Sequence, residues 1–429
     1  MENRKLKIKV TKDLVKSVCF MAVLVLLLAA ALVHRPKEFS AAENRYLAQM
    51  PAFSVKALLD GSFMKDYETY ITDQYPGRDS FIALKTAAEL ARGRQDGNGV
   101  YFGKQSFLLG EYTPEMFEGE AFEERVSYLT EFAGLYAEKF GPEHLQMILV
   151  PDAAAILTDL MPANANVADE LAIIDRMTEQ IDAAAGADVA VNAGDILTEH
   201  RNESIYYRTD HHWTTFGAWY AYDLWKTRTE GASWIEEKEA AADRDTEIKP
   251  AIDSSAIARA LGYDAQMATP AFSGTFDSKV GLRGRTDKIY AWHDPVIDQA
   301  TMTWDGKETL YDSIYYEEAL AGKDKYAYFF GGNHGITDID CSRGHDEVSG
   351  ADVAGKAYQG KTLLVIKDSY AHSFVPFVLR DYERVIMLDL RYFNKSLSKY
   401  IEENEVTDLL VLYSLADFAE DANLKKIVH

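Results

Sequence analysis

The sequence predicts an α/β protein with a mostly parallel sheet flanked by helices, and an N-terminal transmembrane helix. Short apolar runs alternate with helical stretches at 144–162 and 361–382, which is typical of strands that alternate with crossover helices. Two further apolar runs follow at 384–393 and 407–415. The uncharged run 17–33 is long enough to predict the membrane helix.

The N-terminus has the charge pattern of a membrane anchor. Residues 1–16 form a basic tail, and residues 17–33 contain no charged side chain. About 20 helical residues (range about 17–25) cross the hydrocarbon core, and the positive-inside rule keeps the basic tail in the cytoplasm. We therefore expect a single-pass protein of the cell membrane whose C-terminal domain is extracellular. A cleaved signal peptide is the alternative interpretation.

Two segments follow the anchor. Residues 34–97 are predicted to form a stalk and N-terminal helices, because helical spacing over 53–95 is broken by a Pro-Gly turn that predicts two helices. Residues 98–429 are predicted to form the main domain, which opens with a hairpin at 98–110. Residues 229–300 are rich in charge and weak in hydrophobic period, so we interpret them as a charged insertion or lid.

The charge of the chain excludes one class of partner. The chain has 68 acidic and 45 basic residues, and beyond residue 35 the excess grows to 66 acidic against 38 basic. Such a field repels phosphate polymers, which argues against nucleic acid and favours a neutral glycan or a small acyl donor. Cys19 lies in the membrane run and Cys341 far downstream, so no disulfide is expected.

Ser369 occupies a position typical of a nucleophile. It directly follows the apolar run "LLVIKD" and precedes a predicted helix, and ligands in open α/β sheets gather at such strand ends. Backbone N–H groups at the helix start, such as that of Tyr370, suit an oxyanion. A serine hydroxyl still needs an oriented base. A helix N-cap is the alternative role of Ser369.

The string "RTDHHWT", 208–214, offers such a base. Asp210 and His212 are two residues apart, so they point to the same side of an extended segment, and the adjacent His211 points away. In this interpretation Asp210 orients the ring of His212, which takes the proton from Ser369.

A metal site is the second chemical interpretation of Asp210 and His212, because imidazoles and carboxylates bind zinc. It needs a third ligand, for which His334 and His372 are the candidates, and no close histidine spacing supports it. We therefore predict neither a metal nor a cofactor. His372 lies one helical turn after Ser369 and is also an alternative base.

The segment "YAYFFGGNHGITDI", 326–339, predicts a strand-like aromatic run, a Gly-Gly turn and then Asn333. An amide beside a flexible turn is suited to donate to an oxyanion, and it is equally an ordinary turn residue. Trp213 and the other aromatic residues of 206–222 are candidates for a sugar-binding face, although helical spacing is equally typical of core residues.

The strings "RTDHHWT", "FFGGNHG" and "LLVIKDSYAHSFVPF" together resemble the bacterial DHHW family. That family is similar to the alginate O-acetyltransferases and, more distantly, to the SGNH hydrolase superfamily. "ENRYLAQMP" and "LVPDAAAILTDLMP" extend the resemblance over most of 41–415. The resemblance implies an SGNH-like α/β domain with Asp210, His212 and Ser369 as the catalytic triad, in which the acid and the base precede the serine in the chain.

The resemblance also bears on the residues around the triad. His211, Trp213 and Lys367 are expected to support it, with Asn333 and Tyr370 as oxyanion donors. The common hydrolase block reads Gly-Asp-Ser, and here Lys367 stands in the place of the glycine.

The function expected from these residues and the resemblance is enzymatic. We expect a membrane-anchored, extracytoplasmic serine acyltransferase or esterase that transfers or removes O-acetyl groups on a cell-surface polysaccharide. Its partners would be the glycan, an acyl donor and a membrane protein that transports acyl groups. A non-catalytic protein on the same fold, for glycan binding or envelope assembly, is the alternative.

Overall fold

The chain divides into two compact units, residues 1–89 and 90–429. Each unit is described by itself below. The computed structural model describes residues 11–40, 45–230, 263–282, 284–348 and 358–428.

The first unit begins with one long apolar helix, Lys12–Val33. Thr11 caps it, because its hydroxyl accepts a hydrogen bond from the backbone N–H of Leu14 at 3.2 Å. The helix is long and apolar enough to cross a membrane over Lys12–Ala31, and no part of that stretch is buried. The predicted anchor, residues 17–33, lies entirely within the helix Lys12–Val33. A signal sequence has the same features.

Three short helices and a two-stranded ribbon complete the first unit. The sequence predicted two helices over 53–95, and the structure has three there. The first is capped by the Ser54 hydroxyl, which accepts from the Ala57 N–H at 3.0 Å, and the chain turns at Gly61, whose φ of 84° favours glycine. The helices are Val55–Leu59, Ser62–Asp73 and Arg78–Ala91, and the strands are β1 (Phe39–Ser40) and β2 (Arg45–Tyr46).

A seven-stranded sheet forms the centre of the second unit. The strands of this unit are β3 (Asp96–Gly97), β4 (Val100–Phe102), β5 (Leu108–Gly110), β6 (Leu145–Val150), β7 (Ala190–Asn192), β8 (Asp264–Phe272), β9 (Asp287–His293), β10 (Thr301–Trp304), β11 (Ile336–Asp340), β12 (Thr362–Lys367), β13 (Arg384–Leu388) and β14 (Asp408–Ser414).

The large sheet has the order β10-β11-β13-β12-β14-β6-β7. The five strands from β13 to β7 are parallel, and β10 and β11 add an antiparallel edge. The prediction of a mostly parallel sheet flanked by helices is therefore confirmed. Strands β3 to β5 form a small antiparallel sheet where a hairpin was predicted, and β8 pairs with β9 in a separate hairpin.

Helices cover the large sheet on both faces, so its central strands are buried on both sides. Leu363 and Val365 of β12 belong to one buried core, and Leu364 and Ile366 belong to the other. This explains the uninterrupted apolar run in β12. The helices of the second unit are Glu120–Phe140, Ala153–Ile156, Glu170–Ala185, Gly194–Glu199, Thr215–Glu230, Thr275–Val280, Pro295–Gln299, Ser342–Val348, Ala371–Val378, Leu397–Glu403 and Leu415–Glu420.

The aromatic run that opens the segment 326–339 is not a strand, as the sequence predicted, but a short 3₁₀ helix, Tyr326–Tyr328. The backbone N–H groups of Tyr328 and Phe329 donate to the carbonyls of Lys325 and Tyr326 at 3.1 Å, three residues back, which is the pattern of a 3₁₀ turn and not of a strand. Phe330 then takes a φ of 57°, which ends any extended conformation. The strand begins only at β11.

The described part of the predicted insertion, 229–300, is well packed. Strands β8 and β9 form its hairpin, and Phe272 and Trp292 contribute buried rings to the core. Residues 231–262, which carry most of the charge in the predicted insertion, lie outside the described residues.

A buried carboxyl pair lies at the end of β6. The backbone N–H of Asp152 donates to the Glu170 carboxylate at 2.7 Å, and both side chains are at most 1% exposed. Burial raises the pKa of Glu170 to about 7, and burial together with the nearby Glu170 charge raises the pKa of Asp152 well above its usual range. Ionisation of this pair therefore lowers the stability of the folded protein.

We predict that Glu170→Gln stabilises the protein at neutral and higher pH. The folded-state pKa of Glu170 lies above its unfolded value of about 4.3, so folding stability falls as pH rises from there to about 7. The variant removes that loss, so its gain should approach at most about 4 kcal/mol at about pH 8 and vanish near about pH 4. Thermal unfolding of the full chain in detergent at both pH values measures it.

Glu179→Gln is the matched control, because Glu179 lies exposed on the same helix. An equal gain in both variants, or a Glu170→Gln gain that does not depend on pH, would contradict the assignment.

Candidate active site

Ser369 lies in the turn between β12 and the helix Ala371–Val378, where the sequence predicted it. Asp368 holds this turn, because its carboxylate accepts the Tyr370 N–H at 2.9 Å and the Ser414 N–H at 2.7 Å. Burial, followed by the nearby Asp417, raises the pKa of Asp368 to about 8. The Tyr370 N–H, one of the two predicted oxyanion donors, is therefore already engaged.

The segment 206–213 is a tight loop rather than the extended piece that the sequence predicted. Tyr206 and Trp213 pair at its base, and the Asp210 carboxylate accepts the backbone N–H of His212 at 3.1 Å. An aspartate that bonds two residues ahead forces a turn. His211 consequently does not point away: its ring centroid lies 3.8 Å from that of His212.

The loop and the serine turn are fastened to each other by reciprocal hydrogen bonds. The indole N–H of Trp213 donates to the Tyr370 carbonyl at 2.9 Å, and the Tyr370 hydroxyl donates to the His211 carbonyl. Trp213 is fully buried, so it belongs to the core rather than to a sugar-binding face. These two hydrogen bonds set the distance between His212 and Ser369.

Asp210, His212 and Ser369 meet in this arrangement. The Nδ1 atom of His212 lies 2.5 Å from Asp210 Oδ1, and its Nε2 atom lies 2.7 Å from Ser369 Oγ. All three side chains are buried, with Ser369 7% exposed. Tyr326 stacks on the His212 ring at a centroid distance of 3.9 Å, which holds the ring plane. The distances suit the transfer of a proton from Ser369 to His212.

Charge is concentrated on Asp210. Burial alone would raise the pKa of Asp210, but the imidazoles of His211 and His212 outweigh it and hold the pKa well below its usual range. Burial, with the neighbouring His212, lowers the pKa of His211 to about 4. An ionised Asp210 beside a neutral His211 can stabilise a proton that arrives on His212.

Thr275 completes the environment of Asp210, and no sequence pattern pointed to it. Its N–H and its hydroxyl both donate to Asp210 Oδ2, at 2.7 and 3.0 Å, and its Oγ1 lies 2.8 Å from His211 Nδ1. Gly274 precedes it, and a Cβ there would lie 2.2 Å from the Asp210 Cβ. Only a glycine allows the backbone to approach this closely.

Asn333 and Lys367 are brought together near the serine turn. Asn333 is exposed, and its Oδ1 lies 3.3 Å from Lys367 Nζ, whose side chain is 1% exposed. Lys367 Nζ lies 2.7 Å from His372 Nε2. His372 therefore contacts the lysine, and the imidazole that contacts Ser369 is that of His212. The catalytic and oxyanion roles of all these residues remain predictions.

The residues that a metal ion could use are those of the loop. Among the described residues, the potential ligand atoms of Asp210, His211 and His212 lie within 4.8 Å of one another, and this cluster does not include His334 or His372. Both ring nitrogens of His212 already have partners. A bound metal would have to displace Ser369 or Asp210.

A cavity of about 770 Å³ lies beside the same loop, and it is a separate feature. Tyr207, Arg208 and Thr214 contribute to its lining, and the three triad side chains do not. Arg208 is paired within the wall to Asp287 at 3.0 Å. The triad side chains are therefore not part of its wall.

We predict that Thr275→Val slows the reaction of Ser369 with phenylmethanesulfonyl fluoride about tenfold. The variant keeps the N–H but loses the hydroxyl bond to a charged carboxylate, which costs about 1.5 kcal/mol or more, and about 1.4 kcal/mol is tenfold in rate. Thr275→Ser keeps the hydroxyl and is the control. Equal rates in the two variants would show that the hydroxyl does not matter.

Two comparisons find similar proteins: a family model matches the segment that contains the loop, and solved structures have a similar fold. Residues 109–238 match the family described as DHHW protein, and no curated protein matches the sequence. The crystal structure of a DHHW family protein from Eubacterium siraeum has a TM-score of 0.52 and 24% identity, covering 77% of this chain and 95% of its own.

Two other solved structures have the same breadth of coverage. Bacillus cereus PatB1 with a sulfonyl adduct has a TM-score of 0.51 and 18% identity, covering 76% of this chain and 99% of its own. The O-acetyltransferase domain of Pseudomonas putida AlgJ has a TM-score of 0.39 and 11% identity, covering 75% and 93%. The resemblance to the DHHW family proposed from the sequence is confirmed by the family model, which matches the segment 109–238 that carries Asp210 and His212.

Proposed function

We propose that this protein is a serine acyltransferase or esterase that moves O-acetyl groups to or from a cell-surface polysaccharide, outside the membrane to which residues 17–33 anchor it. The observation that carries the proposal is the hydrogen-bonded series from Asp210 through His212 to Ser369, with separations of 2.5 and 2.7 Å. A nucleophile, a base and a group that orients the base are what acyl transfer requires.

The chemistry follows from these contacts. Ser369 Oγ attacks the carbonyl carbon of an acetyl ester while His212 Nε2 takes the hydroxyl proton. The bond between the carbonyl carbon and the donor oxygen then breaks, and His212 returns the proton to that oxygen. The acetyl group is left on Ser369. A sugar hydroxyl or a water attacks it next, and which of the two arrives separates a transferase from an esterase.

The negative charge that develops on the carbonyl oxygen needs donors that are already in place. The N–H of Tyr370 is bonded to Asp368, so we assign the side-chain amide of Asn333 and the backbone N–H of Ser369 to this role. Among the described residues, no hydrogen bond from the Ser369 N–H is found.

The substrate class is supported by charge and by place. The formal net charge of the chain is −23, which disfavours polyanions and leaves neutral or weakly charged glycans. The apolar helix with its basic tail supports an orientation in which the large domain lies on the outer side of the membrane. A single helix does not carry acetyl groups across, so a transferase of this kind depends on a partner for its donor.

The test is the labelling of Ser369 by phenylmethanesulfonyl fluoride, with the full chain in detergent and the modified peptide identified by mass spectrometry. Sulfonyl fluorides react with serines that a base activates, and the PatB1 structure carries a sulfonyl adduct. We expect label on Ser369 in the wild type and a rate at least about 100-fold lower in His212→Ala, because general-base catalysis contributes that much or more.

His144→Ala is the matched control, because His144 lies at the start of β6 and pairs with Asp408, away from the loop. It should label like the wild type. Absence of label in the wild type, or equal label in His212→Ala, would overturn the proposal and favour the non-catalytic glycan-binding protein.

A further inference from the structure

A buried lysine lies two residues before Ser369, and the chemistry described so far does not use it. Lys367 ends β12 with its side chain 1% exposed. Lysine is almost never fully buried unless it is paired, because removing an ammonium from water is costly. The contacts of Lys367 therefore have to explain how its ammonium group can be buried.

Three acceptors surround the ammonium. Its Nζ lies 2.7 Å from His372 Nε2, 3.3 Å from Asn333 Oδ1 and 3.6 Å from Asp389 Oδ2. An ammonium has three N–H donors and no lone pair. His372 Nε2 and Asn333 Oδ1 lie within hydrogen-bond distance of it, and Asp389 faces it as an ion pair. Asp389 is itself fixed by Arg391, which donates to both of its oxygens at 2.9 and 2.7 Å.

The identity of each acceptor follows from the ammonium. Burial and the nearby Lys367 charge lower the pKa of His372 well below its usual range, so the ring is neutral and Nε2 accepts. An asparagine amide can present either its oxygen or its NH₂ to a neighbour. Because the ammonium only donates, it can bond to the amide oxygen of Asn333 and not to the NH₂. The NH₂ of Asn333 must then face away from Lys367.

We infer that Lys367 is a positioning residue for the oxyanion donor: it fixes the Asn333 amide in the one orientation that leaves its NH₂ free for the acyl oxygen. The inference rests on the proposed function. It gives a role to the residue that replaces the glycine of the common hydrolase block. Asn333 is exposed and follows two glycines, so without such a partner its amide would be free to turn over.

The charge state of Lys367 controls the arrangement. Burial lowers the pKa of Lys367 to about 8, against the opposing effect of Asp389. Below that pH the ammonium forces the orientation, and above it the neutral amine has a lone pair that can accept the Asn333 NH₂ instead. We therefore expect the rate of acyl transfer to fall as pH rises through about 8.

Other titratable groups face this site and have to be separated from the lysine. Asp389 and Arg391 follow β13, His372 comes from the next helix, and His334 is adjacent to Asn333. Asp368, the next residue in the turn, has a pKa raised by burial to about 8. An alkaline limb that belongs to Asp368 would not depend on Asn333.

The experiment measures kcat and KM for 4-nitrophenyl acetate between about pH 6.5 and 9.5 with the full chain in detergent. The variants are Lys367→Met, Asn333→Ala and the two combined, with Lys361→Met as control because Lys361 lies exposed immediately before the other end of the same strand. Loss of an oxyanion donor lowers kcat about 10² to 10³-fold. We expect Asn333→Ala to lose that much and Lys367→Met a substantial part of it, with KM nearly unchanged.

Two results identify positioning rather than a structural role. The combined variant should be no slower than Asn333→Ala, because Lys367 acts only through Asn333. The fall in rate near pH 8 should be present in the wild type and in Lys361→Met, and absent from both single variants. If Lys367→Met does not fold, the pH profile of Asn333→Ala decides alone, because Asn333 is exposed.

The inference is overturned if Lys367→Met keeps the wild-type kcat, if the two losses multiply, or if the alkaline limb persists without Asn333. These outcomes are separate from failure of the proposed function, which is read in the same preparation as absence of label on Ser369 in the wild type. A labelled wild type with an unaltered Lys367→Met profile overturns the lysine inference alone.

Discussion

The candidate site depends on one contact between segments 157 residues apart, the hydrogen bond of 2.7 Å between His212 and Ser369. Neither segment can place its functional group alone. The loop around His212 precedes a helix on one side of the sheet, and Ser369 lies in the turn that follows the central strand β12. The crossed bonds of Trp213 and Tyr370 keep the two segments at this separation. Any change that loosens these bonds therefore acts on the serine at a distance.

Buried carboxyl groups of this unit differ in protonation because their neighbours differ, although burial raises the pKa of each. Glu170 has a carboxyl neighbour in Asp152, so burial dominates and favours the protonated form. Asp210 is just as buried, but two imidazoles and the donors of Thr275 surround it, and its charge persists. Burial thus favours the protonated form in the Asp152–Glu170 pair, whereas Asp210 keeps its negative charge.

The sequence was informative where one strong local pattern decides the structure. The apolar run of β12, the turn at Ser369 and the helix after it follow from hydrophobic period and position alone. The pairing of Asp210 with His212 was predicted for an incomplete reason: the loop bends because Asp210 bonds to the His212 N–H, whereas two-residue alternation assumes an extended chain. The ring of His211 consequently lies beside that of His212, whereas two-residue alternation predicts that it points away.

What escaped prediction came from segments whose structure is set by distant contacts. Gly274 and Thr275 lie in a stretch of weak period, and only the fold brings them to Asp210. Tyr326 resembles a strand residue, yet it turns in a 3₁₀ helix and stacks on His212. No local pattern distinguishes these residues from ordinary loop and core positions, because their role is defined by what they touch.

The lysine in place of glycine is best understood from the donors that the serine turn has left. Asp368 takes the Tyr370 N–H to hold the turn, so the backbone offers fewer donors near the nucleophile. A side-chain amide can replace a backbone N–H only if it is held as firmly. A buried ammonium that accepts no hydrogen bond supplies that constraint for Asn333. Burying the ammonium lowers the stability of the fold, and in return the Asn333 amide is held in one orientation. Such locally unfavourable residues are common at functional sites.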